Sequence, residues 1–166
     1  MQPGPLATIA NGELRVAIAP QAGGRIAQIR YGGIDHLVGY DEDNQAMIAW
    51  GSYPMLPWAG RIRQGRFDFQ DAQYELPLNL GAHAIHGVAF TMPWQVEVHE
   101  ANAVELSLAL PEDDRWPFGG TAHQRIVVGE DRLEMELSVR AGPVPMAAVL
   151  GWHPWFRKPD RESLSP

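Results

Sequence analysis

The chain has 166 residues, 45% hydrophobic and 20% charged, with a net charge of −7. Such a length and composition fit one soluble globular domain over residues 1–166 with a sizeable core, and the acidic balance argues against a nucleic-acid partner, whose phosphates require a basic surface. With no cysteine, a disulfide framework and a thiolate metal site are both excluded.

No apolar run approaches the roughly 20 residues of a membrane helix. The N-terminal Met-Gln-Pro-Gly-Pro lacks the basic and apolar regions of a signal peptide, so a cytoplasmic location without membrane association is expected. In chain order, Leu14-Arg-Val16-Ala-Ile18 places its large apolar side chains on even positions, the period of a strand with one buried and one wet face. Arg25 to Tyr31 is less regular and ends at a Gly32-Gly33 turn. Asp41 to Leu80 reads as mostly loop and carries Trp50, Tyr53, Trp58 and Phe67. Long loops in compact domains are functional or disordered, and these aromatics argue against disorder. Strict alternation returns in Trp94–His99, Val104–Leu110 and Leu133–Val139, with a hairpin expected at Glu130-Asp131. No run of ten residues shows a capped helical repeat. Short strands, frequent turns and no alternating helices predict an antiparallel all-β sandwich or barrel-like assembly.

The residues with chemistry to offer cluster in three short segments. Arg61, within Pro57-Trp-Ala-Gly-Arg-Ile, is a planar fork able to pair with vicinal hydroxyls or a carboxylate, or with an ordinary surface acid. His83 and His86 flank Ala84-Ile85, with Gly81 and Gly87 implying a turn. Their spacing is not that of a helical zinc pair and no third ligand is apparent, so a hydroxyl partner or simple packing is expected rather than a metal. His153, in Gly151-Trp-His-Pro-Trp-Phe156, is either a general acid or a core histidine at a strand end. Trp152 and Trp155 beside it read as core or as a platform for a sugar face. His36, His99 and His123 lack supporting residues and read as structural or exposed. The acidic runs Asp41–Asp43 and Glu112–Asp114 read as solvated loops with too few oxygen ligands in register for calcium. The twelve arginines, against the single Lys158, read mainly as solvated faces.

Taken together, Gly23-Gly24-Arg25-Ile26, Pro57–Ile62, Gly65-Arg-Phe-Asp-Phe69, Tyr74–Asn79, Ile85-His86-Gly87, Trp116-Pro-Phe118 and Gly151–Phe156 resemble, in order, the aldose 1-epimerase (mutarotase) family. The resemblance implies an antiparallel β-sandwich of the galactose mutarotase-like type that binds a free hexose or related aldose in a cleft, with no cofactor. It implies that Arg61 and His86 hold sugar hydroxyls and that His153 is the general acid on the ring oxygen; with these, Trp155 is taken as the platform tryptophan that binds the substrate. It also implies a base, a glutamate in the family, yet none of the eleven glutamates here sits in a matching context. A sugar-binding aspartate is likewise unmatched. Gly60 and His83 depart from the residues common at their positions.

The resemblance therefore covers about the first half of a typical member, and a C-terminally truncated fold with strand edges open to self-association is expected. The alternative is a non-catalytic carbohydrate-binding or sugar-sensing remnant of the same fold. A third reading, a cupin-like metal enzyme, would join His83, His86 and His153.

Overall fold

A computed structural model of the chain describes residues 1–40 and 46–158. The acidic run Asp41–Asp43 lies outside the described residues. The strands begin with β1 (Ala7–Asn11), β2 (Leu14–Ala19), β3 (Arg25–Tyr31), β4 (Ile34–Asp35), β5 (Ser52–Met55), β6 (Arg61–Arg63) and β7 (Arg66–Phe69). They continue with β8 (Ala72–Glu75), β9 (His83–Ile85), β10 (Gln95–His99), β11 (Ala103–Ala109), β12 (Thr121–Val128), β13 (Leu133–Arg140) and β14 (Gly151–Pro154). Only two single 3-10 turns, Pro20–Ala22 and Ala89–Thr91, interrupt this all-β pattern among the described residues. None of the described helices is long and apolar enough to cross a membrane.

Two antiparallel sheets carry the fold. One runs in the order β1-β2-β3-β5-β14, with β4 hairpinned onto β3 through Gly32-Gly33. Both glycines have positive φ, 55° and 81°, as the tight twist of a two-residue hairpin requires. The other sheet is the meander β10-β11-β12-β13, whose last hairpin closes over Gly129–Arg132 where Glu130-Asp131 predicts it. Ile9, Val16, Ile18 and Ile26 from the first sheet meet Val104, Leu106, Leu108 and Ile126 from the second in one core. Burying each such side chain contributes about 1.5–3 kcal/mol. The alternating residues of β2 and β11 face this core, as their period requires.

One expectation holds in outline and one is corrected. The stretch from Asp41 to Leu80 is mostly outside strands, as expected, but its described part also holds four short ones, β5, β6, β7 and β8. These strands are three or four residues long, too short to display a period. One of them, β6, pairs with β9 some twenty residues away, so no local pattern announces it. The Trp94–His99 run also fails to bury one clean face: Trp94 is buried but Val96 is 39% exposed. A register shift between Val96 and Val98 turns the side chains of this edge strand. Along β13 the alternation is correct, but Leu133, Met135, Leu137 and Val139 are only half-buried against the core.

Candidate active site

His153 sits in β14, directly opposite Tyr53 of β5 in the antiparallel register. Opposed residues on neighbouring strands share a face, and here their rings stack with centroids 5.0 Å apart and planes only 8° from parallel. Trp155 lies two residues further on, hence on the same side, and covers the other direction at 5.6 Å and 29°. Its main chain is anchored by N–H donation to Gly51 and by accepting from Val38, while its indole stays 40% exposed. Trp152 faces the opposite way. Its Nε1 donates to Gln124 Oε1 (2.8 Å), and buried Gln124 donates in turn to the Gly24 carbonyl (2.7 Å), linking the two sheets. The two tryptophans of one motif are thus separated by strand alternation: Trp152 is half-buried between the sheets, Trp155 is at the surface.

His86 arrives from a different kind of backbone. It follows β9 in the left-handed region, φ 61°, a conformation that costs a non-glycine residue about 1–3 kcal/mol and that gathers at functional sites. Gly87 continues it at φ 77° and passes hard against the backbone of Leu56, so that a Cβ there would lie 2.9 Å from the Leu56 nitrogen and closer still to its carbonyl. The turn is held on both sides. The His86 N–H donates to the Gly60 carbonyl (2.9 Å) and the Val88 N–H to that of Leu56 (2.9 Å). Asn79 clamps the preceding residue, accepting from the Ile85 N–H (2.7 Å) and donating to its carbonyl (3.0 Å). The His86 ring meets that of His153 edge-to-face at 5.2 Å and that of Tyr53 at 6.0 Å.

Arg61 opens β6 opposite Ile85 and is exposed. No carboxylate pairs with it among the described residues, and its positive charge reaches His86. Burial above all, then the neighbouring His153 and Arg61, push the His86 imidazole below its ordinary 6.5, so it is neutral at pH 7. A neutral imidazole has one donor and one acceptor, a good match to a hydroxyl. The Nδ1 atoms of both His86 and His153 are buried and have no hydrogen-bond partner among the described residues. Tyr53, not singled out from the sequence, is held neutral as well, its phenol raised to about 12 by burial.

Three of the residues expected at a site therefore meet, His86, His153 and Trp155, and Arg61 is near enough for its charge to act on His86. His83 does not join them. Its Nδ1 accepts from the Gln64 N–H (3.2 Å) at the far end of β9, opposite Arg63. Among the described residues no three His, Cys, Asp or Glu side chains group to hold a metal ion. The histidine trio of the metal reading is thus not assembled. His99 reaches the Thr8 carbonyl (3.0 Å) and His123 is exposed, in keeping with structural or surface roles. Tyr53 escaped the sequence because only the pairing of β5 with β14, about a hundred residues apart, gives it a place.

A flat indole, a neutral imidazole, a second imidazole and a guanidinium fork with no carboxylate partner among the described residues form a surface suited to a polyhydroxylated ring. The family model described as aldose 1-epimerase matches residues 5–165. The chain belongs to the aldose 1-epimerase family. Two Escherichia coli K12 proteins, both described as uncharacterized, are similar to it. YihR is 29% identical over 117 residues, which is 69% of this chain and 37% of that protein. YphB is 32% identical over 111 residues, which is 63% of this chain and 36% of that protein. The fold matches a solved GalM/aldose epimerase homologue from C. elegans with a TM-score of 0.80 at 24% identity, covering 92% of this chain and 50% of that one. The chain spans about half the length of that solved homologue, and its matches cover little more than a third of the two curated relatives.

Proposed function

We propose that the chain carries the acid and sugar-binding side of an aldose 1-epimerase site acting on a hexose or related aldose. The observation that supports this most is the meeting of His86 and His153 at 5.2 Å beside Arg61 and the exposed Trp155. In this reading Trp155 packs on the sugar face, and Arg61 and His86 hold hydroxyls. His153, fixed between Tyr53 and Trp155, gives a proton to the ring oxygen. Removal of the anomeric proton then opens the ring to the aldehyde, the C1–C2 bond rotates, and reclosure on the other face yields the other anomer. No electrons are exchanged, so the step needs no redox cofactor. The base is assigned to none of the described residues, because no described carboxylate bonds to His86, His153 or Arg61.

The same observation favours a second reading, a sugar-binding protein without turnover. Polarimetry on fresh α-D-glucose and α-D-galactose separates the two. The expected result is weak acceleration or none by the 166-residue chain, since a proton-transfer group that no described residue supplies costs about 10²–10⁴-fold, with any acceleration lost in His153→Ala. Acceleration unchanged in His153→Ala removes the acid role; sugar binding with no acceleration at all selects the binding reading.

A further inference from the structure

Arg25, at the start of β3, is fully buried. No carboxylate pairs with it among the described residues. Among the described residues its guanidinium donates only to main-chain carbonyls: Nε to Ala22 (2.6 Å), Nη1 to Met47 (2.7 Å) and Trp50 (3.2 Å), and Nη2 to Phe90 (3.3 Å). Its Cζ lies 4.3 Å from the centre of the Trp50 ring and 5.3 Å from that of Tyr53. Burial lowers its pKa to about 10, which still leaves it a cation at neutral pH. Removing a cation from water without a counter-ion is costly, and an apolar side chain of similar volume would avoid the cost. The segments that Arg25 joins supply a reason.

The Trp50 carbonyl begins the run into β5, which holds Tyr53 against His153. The Phe90 carbonyl belongs to the turn that follows His86 and Gly87, and the Phe90 ring packs on Tyr53 at 5.4 Å. Gly23 allows this approach: at φ 82°, a Cβ there would lie 2.8 Å from Phe90 Cα and nearer still to its carbonyl. One planar fork thus spans the two backbone segments whose next neighbours are the two imidazoles. A column of rings runs from Trp50 past Arg25 to Tyr53, His153 and Trp155.

We propose that Arg25 is a positioning residue that registers the turn carrying His86 against the strand pair carrying His153, and so sets the separation of the two imidazoles. This rests on the reading of His86 and His153 as the working pair, but its test does not use turnover. Two variants of the full chain separate geometry from charge. Arg25→Lys keeps the cation but replaces the rigid fork with a point donor that cannot span four carbonyls, and Arg25→Met removes both. The readouts are the NMR titration of the His86 ring and the cross-relaxation between the His86 and His153 rings, with the His99 ring as an internal control. The charged and titratable groups facing His86 are His153, Arg61 and the Tyr53 phenol, and all are retained.

In both variants the His86 titration is expected to move upward, toward the ordinary 6.5, as the rings separate and water enters, and the inter-ring signal is expected to weaken. A lower melting temperature with the His86 titration and the inter-ring signal unchanged would overturn the proposal, leaving Arg25 a packing residue. Movement in Arg25→Met without movement in Arg25→Lys would overturn it too, in favour of a simple charge effect. If Arg25→Met does not fold, Arg25→Lys alone decides. Failure of the His153→Ala polarimetry test, by contrast, removes the proposed chemistry without touching this registration.

Discussion

Gly87 and Gly60 allow the turn at His86 to be tested by a paired substitution. Both glycines are left-handed, at φ 77° and 76°, and both adjoin the site. Around Gly60 nothing lies within 4 Å of an added Cβ, whereas at Gly87 the methyl would press into the Leu56 backbone, 2.9 Å from its nitrogen and closer to its carbonyl. Gly60→Ala should therefore cost only the left-handed penalty, about 1–2 kcal/mol. Gly87→Ala should add about 1–3 kcal/mol of overpacking, because the obstacle is backbone and cannot change rotamer. In a chain of this size each kcal/mol lowers the melting temperature by about 2–4 °C. The pair should then differ by about 2–12 °C in thermal melts followed by circular dichroism. Gly87→Ala should also weaken monosaccharide binding, since relief requires moving the turn that carries His86. Equal melting temperatures, or Gly87→Ala with wild-type affinity, would refute the close-approach argument.

Replacing Arg61 or His86 with alanine should weaken monosaccharide binding by about 1–3 kcal/mol each, measured by titration calorimetry, with the β-rich circular dichroism spectrum retained; unchanged affinity in both removes their assigned roles. Because His86 binds its proton less readily folded than unfolded, the unfolded chain takes up more protons below about pH 6.5, and stability should fall as the pH drops through that region. Denaturant melts at pH 7 and pH 5 should show the loss, and His86→Gln should reduce it.

The fold was legible where strands are long and face the core. In β2 and β11 the period of two is visible in the residues themselves, and the Glu130-Asp131 hairpin is announced by its local sequence. It was illegible where partners are distant or strands short. Tyr53 looks like a loop aromatic until β5 is set beside β14, and Val96 looks buried until the shift in β10 turns it outward. At the proposed site, Arg61, His86 and His153 are residues that the family resemblance singles out, and Trp155 is a residue of its last motif. Arg25 could not be chosen, since its role depends on four carbonyls drawn from separate parts of the chain. Nor could the separation of Trp152 from Trp155 be assigned, because alternation says that two residues three apart point to opposite faces but not which face is interior.

The two imidazoles reach the site at different cost, and the difference bears on what each can do. His153 rides an ordinary strand, and its ring is oriented by Tyr53 and Trp155 without backbone strain. His86 occupies a strained turn that persists because Asn79, Gly60 and Leu56 over-determine it. A side chain whose only duty was packing would gain nothing from such a backbone, whereas one that must present a ring edge at a fixed place does. Burial and two neighbouring groups of potential positive charge keep that ring neutral, and a neutral ring can meet a hydroxyl as either donor or acceptor. If His86 is held neutral to bind, the proton for the ring oxygen falls to His153, which is the division of roles the proposed reaction requires.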